Sequence, residues 1–405
     1  MLSMKILAIE TSCDETAITI MEASGDLRNA SLVVLGNALY SQAKKHAAFG
    51  GVYPSLAKRE HAANLVPLCE LALKEAGMYE RTSAALTPEG THFVEEVLVR
   101  EPGLGAACVR MLGSVARPDI DAIAVTQGPG LEPALWVGIN FARALAHAWE
   151  LPIIPVNHLE GHMLASVVSG AGTTDQPFVL DDVPFPLLGL ILSGGHTEFV
   201  FAEAWGAYEI IGSTRDDSIG EAFDKVARLL GLPYPGGPEI SRVAARARPS
   251  MYKGEVLPGV QLSPLPRPMI HSGDLDFSFS GLKTAVKYQV RDLGDISDLV
   301  RDRIAAEFEH AVTDVVVAKT RQALEEHPVR AFVLGGGVSA NRHIRDSLET
   351  LFSTMDDAPT LLLPAPGLST DNAVMIGMAG YVAHCRGVAP CTATDELRAS
   401  GDMAL

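Results

Sequence analysis

The chain opens with a short apolar run at residues 5–10 (KILAIE), a polar stretch at 11–16 (TSCDET) and a second apolar run at 17–21 (AITIM). Runs of this length bounded by polar turns predict strand, turn, strand. Further strands are expected at 31–38, 122–125 and 153–156, while apolar residues recurring at helical period predict helices over 56–76 and 135–149. Strands alternating with helices place this half of the chain in the α/β class.

Residues 169–186 (SGAGTTDQPFVLDDVPFP) collect Gly, Thr, Asp and Pro, the composition of a connector. Beyond it the opening pattern restarts, with LLGLIL at 187–192, the polar turn SGGHT at 193–197 and a second strand at 198–202. The echo hints at internal duplication. Two segments depart from the scheme: 79–117, of mixed polarity, reads equally well as an insertion or as an ordinary helical subdomain, and the Pro-rich 249–268 reads as loop.

With 405 residues, 47% of them hydrophobic, the chain can bury a large core, and two domains are expected. Its formal charge of −17 argues against coating nucleic acid through an overall field and leaves only a local basic patch. The densest candidate is Lys44, Lys45, His46, Lys58, Arg59 and His61, for which a solvated face is the default. Five cysteines without a C-x-x-C pair fit neither a disulfide framework nor a zinc ribbon, which points to a reducing compartment. No apolar run reaches membrane-spanning length and no signal-peptide core is evident, so a soluble, cytoplasmic protein is expected.

The first chemical motif is His158-Leu159-Glu160-Gly161-His162. On a helix starting near Asn157 the two histidines share one face and can bind one metal ion, although structural histidines are an equal alternative. Glu160 is wrongly placed for the H-E-x-x-H motif and points away, which disfavours a metalloprotease. A third ligand could be Asp371 in Leu368-Ser369-Thr370-Asp371-Asn372, where the competing reading is that Ser369, Thr370 or Asp371 caps the following helix. Two histidines and a carboxylate leave coordination positions open, which suits iron(II) or zinc.

Glycine-rich turns follow apolar strands at Gly128-Pro129-Gly130, Ser193-Gly194-Gly195-His196-Thr197 and Gly335-Gly336-Gly337-Val338-Ser339-Ala340-Asn341. Each could bring backbone N–H groups to a phosphate or be simply a tight turn, and neither a Walker A nor a G-x-G-x-x-G pattern is present. Residues 215–231 predict a helix with Ile219, Phe223, Val226 and Leu230 on its apolar face and Asp217, Glu221, Asp224 and Arg228 on another. That polar face is either solvated or, beside Tyr234-Pro235-Gly236-Gly237-Pro238, supplies a carboxylate to a ribose hydroxyl. Cys13 reads as a small buried thiol rather than a nucleophile.

Taken in order, these blocks resemble the TsaD/Gcp family of tRNA threonylcarbamoyl transferases, members of the actin and sugar-kinase-like (ASKHA) ATPase fold. The resemblance runs through Ile9 to Thr16, Gly128-Pro129-Gly130, His158 to His162, Leu192 to Thr197, Glu221-Ala222-Phe223-Asp224-Lys225, Pro235 to Pro238, Phe279-Ser280-Gly281-Leu282-Lys283-Thr284, Gly336 to Asn341 and Ser369 to Asn372. It covers nearly all the chain except 79–117 and the tail after about Gly387. It implies two actin-like, ribonuclease H-like domains, 1–170 and 186–370, with mixed sheets flanked by helices, a ligand cleft between them, and a C-terminal helix 371–387 joining the first. The metal ligands it implies are His158, His162 and Asp371, and the nucleotide-contacting residues Ile191, Leu192, Ser193, Gly194, Gly195, Asp224, Gly237 and Asn341. Two positions depart from the family pattern: Asn157 replaces the first of a usual double histidine, and Glu150 stands where an amide, Asp, Lys or Gly is usual.

The implied reaction moves a threonylcarbamoyl group from threonylcarbamoyl-AMP to N6 of the adenosine 3′ of the anticodon, in tRNAs reading codons that begin with A. That amine is a poor nucleophile, so positioning and an electrophilic carbonyl must carry the catalysis; Asp14 or Glu15 is the candidate to take its proton. The implied cofactors are one divalent ion, iron(II) before zinc, and an adenine nucleotide. The implied partners are tRNA and, in bacteria, TsaB- and TsaE-like proteins. The rival readings are a magnesium-dependent kinase of the same fold and a nucleotide-regulated scaffold.

Overall fold

The computed structural model describes residues 3–83, 86–180, 182–255, 260, 262–365 and 367–405. The chain divides into two compact units, one of Met1–Lys45, Val52–Val183 and Ala365–Leu405, the other of His46–Gly51 and Pro184–Pro364.

The first unit is built on strands β1 (Met4–Glu10), β2 (Glu15–Ser24), β3 (Ala30–Ser41), β4 (Ala122–Gly128), β5 (Ile153–Asn157), β6 (Val168–Ser169) and β7 (Phe178–Leu180), in the order β5-β4-β1-β2-β3-β7-β6. β1, β2 and β3 form an antiparallel meander with Ile9 opposite Ile18 and Ala17 opposite Leu39, while β4 and β5 run parallel to β1. The expected connector at 169–186 is not all loop, because Phe178–Leu180 pairs with β3.

Alternation of side chains assigns the two faces of this sheet. Ile20, Ile123 and Val125 join a buried cluster with Leu65 of the helix Pro54–Glu75 and with Val137 and Phe141 of the helix Glu132–Trp149. Met21 and Ala124, of opposite parity, meet the helix Ala373–Cys385, which is apolar all round and therefore buried. A Cβ at Gly377 would lie 2.5 Å from Met21 Sδ and one at Gly380 2.7 Å from Ala124 Cβ, so these glycines set how closely the helix approaches. The helix Glu132–Trp149 ends at Glu150, in the left-handed region at φ 52°. Gly and Asn occupy that conformation most easily, which gives a physical reason for the residues expected at this position.

Residues 79–117 hold two short helices, Pro88–Val97 and Pro102–Leu112, with a proline in the first turn of each. Val94, Leu104, Cys108 and Met111 sit in the same core as the sheet, so this segment is an integral layer of the unit.

The second unit repeats the arrangement with β8 (Leu187–Leu192), β9 (Thr197–Ala204), β10 (Ala207–Ser213), β11 (Ala331–Gly335) and β12 (Thr360–Leu362), in the order β10-β9-β8-β11-β12. Again a meander is followed by two strands parallel to its first member, with Leu190 opposite Leu334. This is the ribonuclease H-like order seen in β1 to β5, which bears out an α/β fold with two mixed sheets flanked by helices and gives the echo in the sequence a structural basis. The predicted helix at 215–231 forms over Ile219–Leu229, capped by Ser218, whose Oγ accepts from Glu221 N at 3.2 Å. Its Phe223 is buried against Phe308 of the helix Asp298–Glu326, ring centroids 5.1 Å apart.

One loop expectation is corrected: residues 249–252 are the last turn of the helix Gly236–Tyr252, whose Ile240, Val243 and Ala247 bury a face strong enough to carry Pro249 within the final turn. Residues 256–259 and 261 of that expected loop lie outside the described residues. Among the described residues, no helix is long and apolar enough to cross a membrane.

Phe223→Ala should lower unfolding stability by about 3–5 kcal/mol through the cavity it leaves, read as a fall in the urea midpoint at unchanged slope.

Candidate metal centre and glycine turns

The carboxyl ends of β1, β4 and β5 carry the polar residues of the first unit. Asn157 ends β5 and caps the helix His158–Leu164, its Oδ1 accepting from Leu159 N at 2.9 Å and Glu160 N at 3.4 Å. That cap starts the helix where the sequence reading placed it and sets His158 and His162 one turn apart on one face, ring centroids 4.7 Å apart at 85°. Glu160 points elsewhere, pairing with Arg386 at 3.0 Å.

Asp371 approaches from the segment leading into the helix Ala373–Cys385. The cap of that helix is Asn372, whose Oδ1 accepts from Met375 N at 2.9 Å, so Asp371 is free of the capping duty weighed for it. Asp371 Oδ1 lies 3.1 Å from His162 Nε2 and 3.5 Å from His158 Nε2. One ligand atom from each of the three residues lies within 4.8 Å of the others.

Behind His158 stands a residue to which the sequence reading gave no role. Glu10, fully buried at the end of β1, faces His158 Nδ1 at 3.1 Å and also accepts from Thr126 Oγ1 at 2.6 Å and from Ser12 N. A carboxylate only accepts, so His158 Nδ1 carries a proton toward Glu10, and Nε2 is the ring nitrogen that faces Asp371. The signal was an acid closing an apolar strand, which by itself reads as a strand end.

The electrostatics follow from this packing. Burial opposes the charge on Asp371, but His158 and His162 outweigh it and hold the carboxyl well below the usual carboxylate range. Burial likewise works against a charged His158 and is overcome by Glu10 and Asp371, which push it up to about 10. Burial keeps His162 below the ordinary imidazole value, and its Nδ1 is buried without a hydrogen-bond partner among the described residues. Without a metal, then, a proton sits between His158 and the carboxylates, at a point where a divalent cation would meet two imidazole nitrogens and one oxygen. The donor set fits a nitrogen-and-oxygen metal site with open positions.

Asp14 closes the turn from β1 to β2, and Glu15 is the first residue of β2. Burial first, then Asp14 and Asp371, push Glu15 up to about 9, and Ser41 Oγ donates to its Oε1 at 3.0 Å. Burial and the neighbouring carboxylates of Asp14, Asp371 and Glu15 also push the Cys13 thiol well up, which removes it as a nucleophile.

In the second unit the implied nucleotide residues gather at the carboxyl ends of β8 and β11. Ile191 and Leu192 are the buried end of β8, and Ser193 Oγ accepts from Gly195 N at 3.2 Å and His196 N at 2.9 Å. A Cβ at Gly194, Gly195 or Gly237 would meet nothing within 4 Å, so their backbones are open to a ligand. Gly236 is held differently, since a Cβ there would lie 2.7 Å from Asp224 Cα. Asp224 Oδ1 accepts from Gly236 N at 2.7 Å, fixing the start of the following helix.

Residues of this group also have partners inside the protein. The face of Asp217, Glu221 and Asp224 is not simply solvated, because Lys225 bridges Asp217 at 2.6 Å and Glu221 at 2.7 Å while Asp224 holds Gly236. The Asn341 side chain is engaged within the protein, its Nδ2 donating to Glu309 Oε1 at 2.9 Å and Ser241 Oγ at 3.0 Å and its Oδ1 accepting from Ile344 N at 3.1 Å.

The turn Gly128-Pro129-Gly130 is also not an open cradle. The chain's own tail lies on it, with Gly130 N donating to Gly401 O at 3.1 Å and Ser400 N to Gln127 O at 3.0 Å. Of the basic group at 44–61, Lys45 pairs with Glu60 at 2.5 Å, Lys58 pairs with Glu101 at 2.6 Å, His46 and His61 are buried, and Lys44 and Arg59 are exposed.

A sequence model of the TsaD family, described as tRNA N6-adenosine threonylcarbamoyltransferase, matches residues 33–85 and 112–378, leaving 86–111 between them unmatched. The tRNA N6-adenosine threonylcarbamoyltransferase of Bacillus subtilis (strain 168) is 37% identical over 386 residues, 95% of this chain and 92% of that protein. Solved structures are similar only distantly. The ROK hexokinase of Thermus thermophilus has 13% identity and a TM-score of 0.39 over 95% of this chain and 100% of its own. The ADPNP-bound activator of the 2-hydroxyisocaproyl-CoA dehydratase from Clostridium difficile has 11% identity and a TM-score of 0.43 over 95% of this chain and 96% of its own. The two sequence matches, which extend through both units, show that the chain belongs to the TsaD family of tRNA N6-adenosine threonylcarbamoyltransferases.

Proposed function

We propose that His158, His162 and Asp371 hold one divalent metal ion, iron(II) in preference to zinc, for the transfer of threonylcarbamoyl from threonylcarbamoyl-AMP to N6 of the adenosine 3′ of the anticodon. The observation that carries this reading is the meeting of three ligand atoms within 4.8 Å, with Glu10 fixing the His158 tautomer behind them. A bound divalent ion supplies Lewis acidity toward an acyl oxygen and the adjoining phosphate. Glu10 orients His158, and Asp371, shared by both imidazoles, brings the negative charge that makes the pocket receptive to a cation.

The adenine nucleotide is assigned to Ile191, Leu192, Ser193, Gly194, Gly195, Asp224, Gly237 and Asn341. The open amides after β8 contact phosphate oxygens, while Asp224 and Asn341 act mainly by fixing the turns around them. Asp14 is the base that receives the amine proton. Glu15, pushed up to about 9, is protonated near neutrality and serves as a donor. At −17 the chain needs a local surface for tRNA, and partners resembling TsaB and TsaE are proposed to supply part of it, in the cytoplasm.

The test is nucleoside mass spectrometry of tRNA after incubation with threonine, bicarbonate, ATP, an adenylate-forming enzyme and the partner proteins. Threonylcarbamoyladenosine should form with the wild type and fall by at least about 100-fold with His158→Ala or Asp371→Ala; none with the wild type under any partner combination would refute the reading. Asp14→Asn should abolish single-turnover transfer near neutral pH, whereas Glu15→Gln should retain most of it; the reverse order would exchange their roles.

Glu15 also predicts a pH signature. Its folded value, about 9, exceeds its ordinary 4.5, so its contribution to stability is complete below about 4.5 and gone once pH has risen through about 9. In metal-free protein, Glu15→Gln should therefore gain in Tm relative to the wild type as pH is raised from 5 toward about 9, and a flat difference would contradict the assignment.

A further inference from the structure

The turn that carries Asp14 and leads into Glu15 at the start of β2 is held from outside by a histidine in the helix Pro54–Glu75. His61 is fully buried and places its two ring nitrogens on either side of that turn. Nε2 lies 3.0 Å from Cys13 O and Nδ1 lies 2.8 Å from Thr16 Oγ1, with Gln42 Nε2 at 3.4 Å from the same Nδ1. A carbonyl oxygen only accepts, so Nε2 carries the proton and Nδ1 accepts from the Thr16 hydroxyl. This tautomer is neutral and uses the imidazole fully, one donor and one acceptor, on residues that bracket the two carboxylates.

Gln42 completes the clamp. Its N donates to Asp14 O at 2.9 Å, and its Nε2 reaches Ala57 O, on the helix that carries His61, at 3.5 Å. Residues 13 and 16 are thus tied to His61 of the helix Pro54–Glu75 and residue 14 to Gln42, while Glu15 and Thr16 also pair with β3. A leucine in place of His61 could fill the volume but would leave the buried Thr16 hydroxyl without His61 as its acceptor and Cys13 O without its donor.

We propose that His61 is a positioning residue for the transfer reaction: through Cys13 and Thr16 it fixes where Asp14 and Glu15 stand relative to the substrate amine. The inference rests on the catalytic reading of Asp14 and Glu15 given above and adds the element that sets their geometry. A misplacement of about 1 Å in a catalytic group can cost roughly 100-fold in rate, so an effect on turnover is expected without one on binding.

The experiment compares the full chain with His61→Leu, His61→Gln, Thr16→Val and the double variant His61→Leu/Thr16→Val. Each is assayed with threonylcarbamoyl-AMP, unmodified tRNA and the partner mixture that supports the wild type, and each is measured for bound metal and thermal unfolding. His61→Leu should lower kcat about 10- to 100-fold at unchanged metal content and with KM for both substrates within about two-fold. His61→Gln, whose amide can still donate to Cys13 O, should recover a substantial part, and the double variant should be no slower than the worse single variant.

A folded His61→Leu with wild-type kcat would overturn the proposal, as would a loss of kcat that tracks a loss of metal. Should His61→Leu fail to fold, Thr16→Val decides on the same readouts, since it removes only the hydroxyl. A wild type that makes no threonylcarbamoyladenosine would instead refute the function proposed above, so the two failures are told apart.

Discussion

The first unit is organised around a buried charge relay that runs from Glu10 through His158 to Asp371. Two buried ionisable groups, Glu10 and His158, and the half-buried Asp371 are tolerated because each is paired: Glu10 accepts from His158, Thr126 and Ser12, and Asp371 meets both imidazoles. An isolated buried charge would be neutralised or expelled, so the relay constrains everything that supplies its members. β1 must end at Glu10, β5 must end in the cap that aligns the histidines, and the chain must return more than two hundred residues later to deliver Asp371. The glycines that seat the helix Ala373–Cys385 against Met21 and Ala124 serve that return.

The two units use one topology for different chemical surfaces. In each, a meander is followed by two strands parallel to its first member, and polar residues collect at the carboxyl ends of the parallel strands. In the first unit those ends present imidazole and carboxylate; in the second they present glycine turns and backbone amides. The repeated topology allows different turn chemistry in the two units, because strand ends fix backbone position while leaving the turn sequence free to vary.

Much of the fold was legible because periodicity is local. The strands at 5–10 and 187–192 and the helix from about 135 to 149 could be read from a few residues each, and the histidine pair from its spacing and its place after β5. What escaped was set by distant partners. Glu10 looked like the end of an apolar strand until His158 stood against it. Asn341 belonged to a glycine-rich motif, yet Glu309 and Ser241 engage its amide. Gly128-Pro129-Gly130 had the composition of a phosphate turn, but residues 400 and 401 cover it. Pro249 suggested a loop where tertiary packing of the preceding turns carried the helix past it. The prolines that open the two helices within 79–117 were a usable local signal, since proline is favoured in a first helical turn.

The central claim is that the imidazoles of His158 and His162 and the carboxylate of Asp371 form one metal site. X-ray absorption spectroscopy of the purified full chain, with metal quantified in the same sample, tests it most directly. The account predicts one iron or zinc per chain with two imidazole nitrogens and carboxylate oxygen at roughly 2.0–2.2 Å, and loss of that signal in Asp371→Ala. A stoichiometric metal with no imidazole in its coordination shell, or the same spectrum after Asp371 is removed, would contradict it.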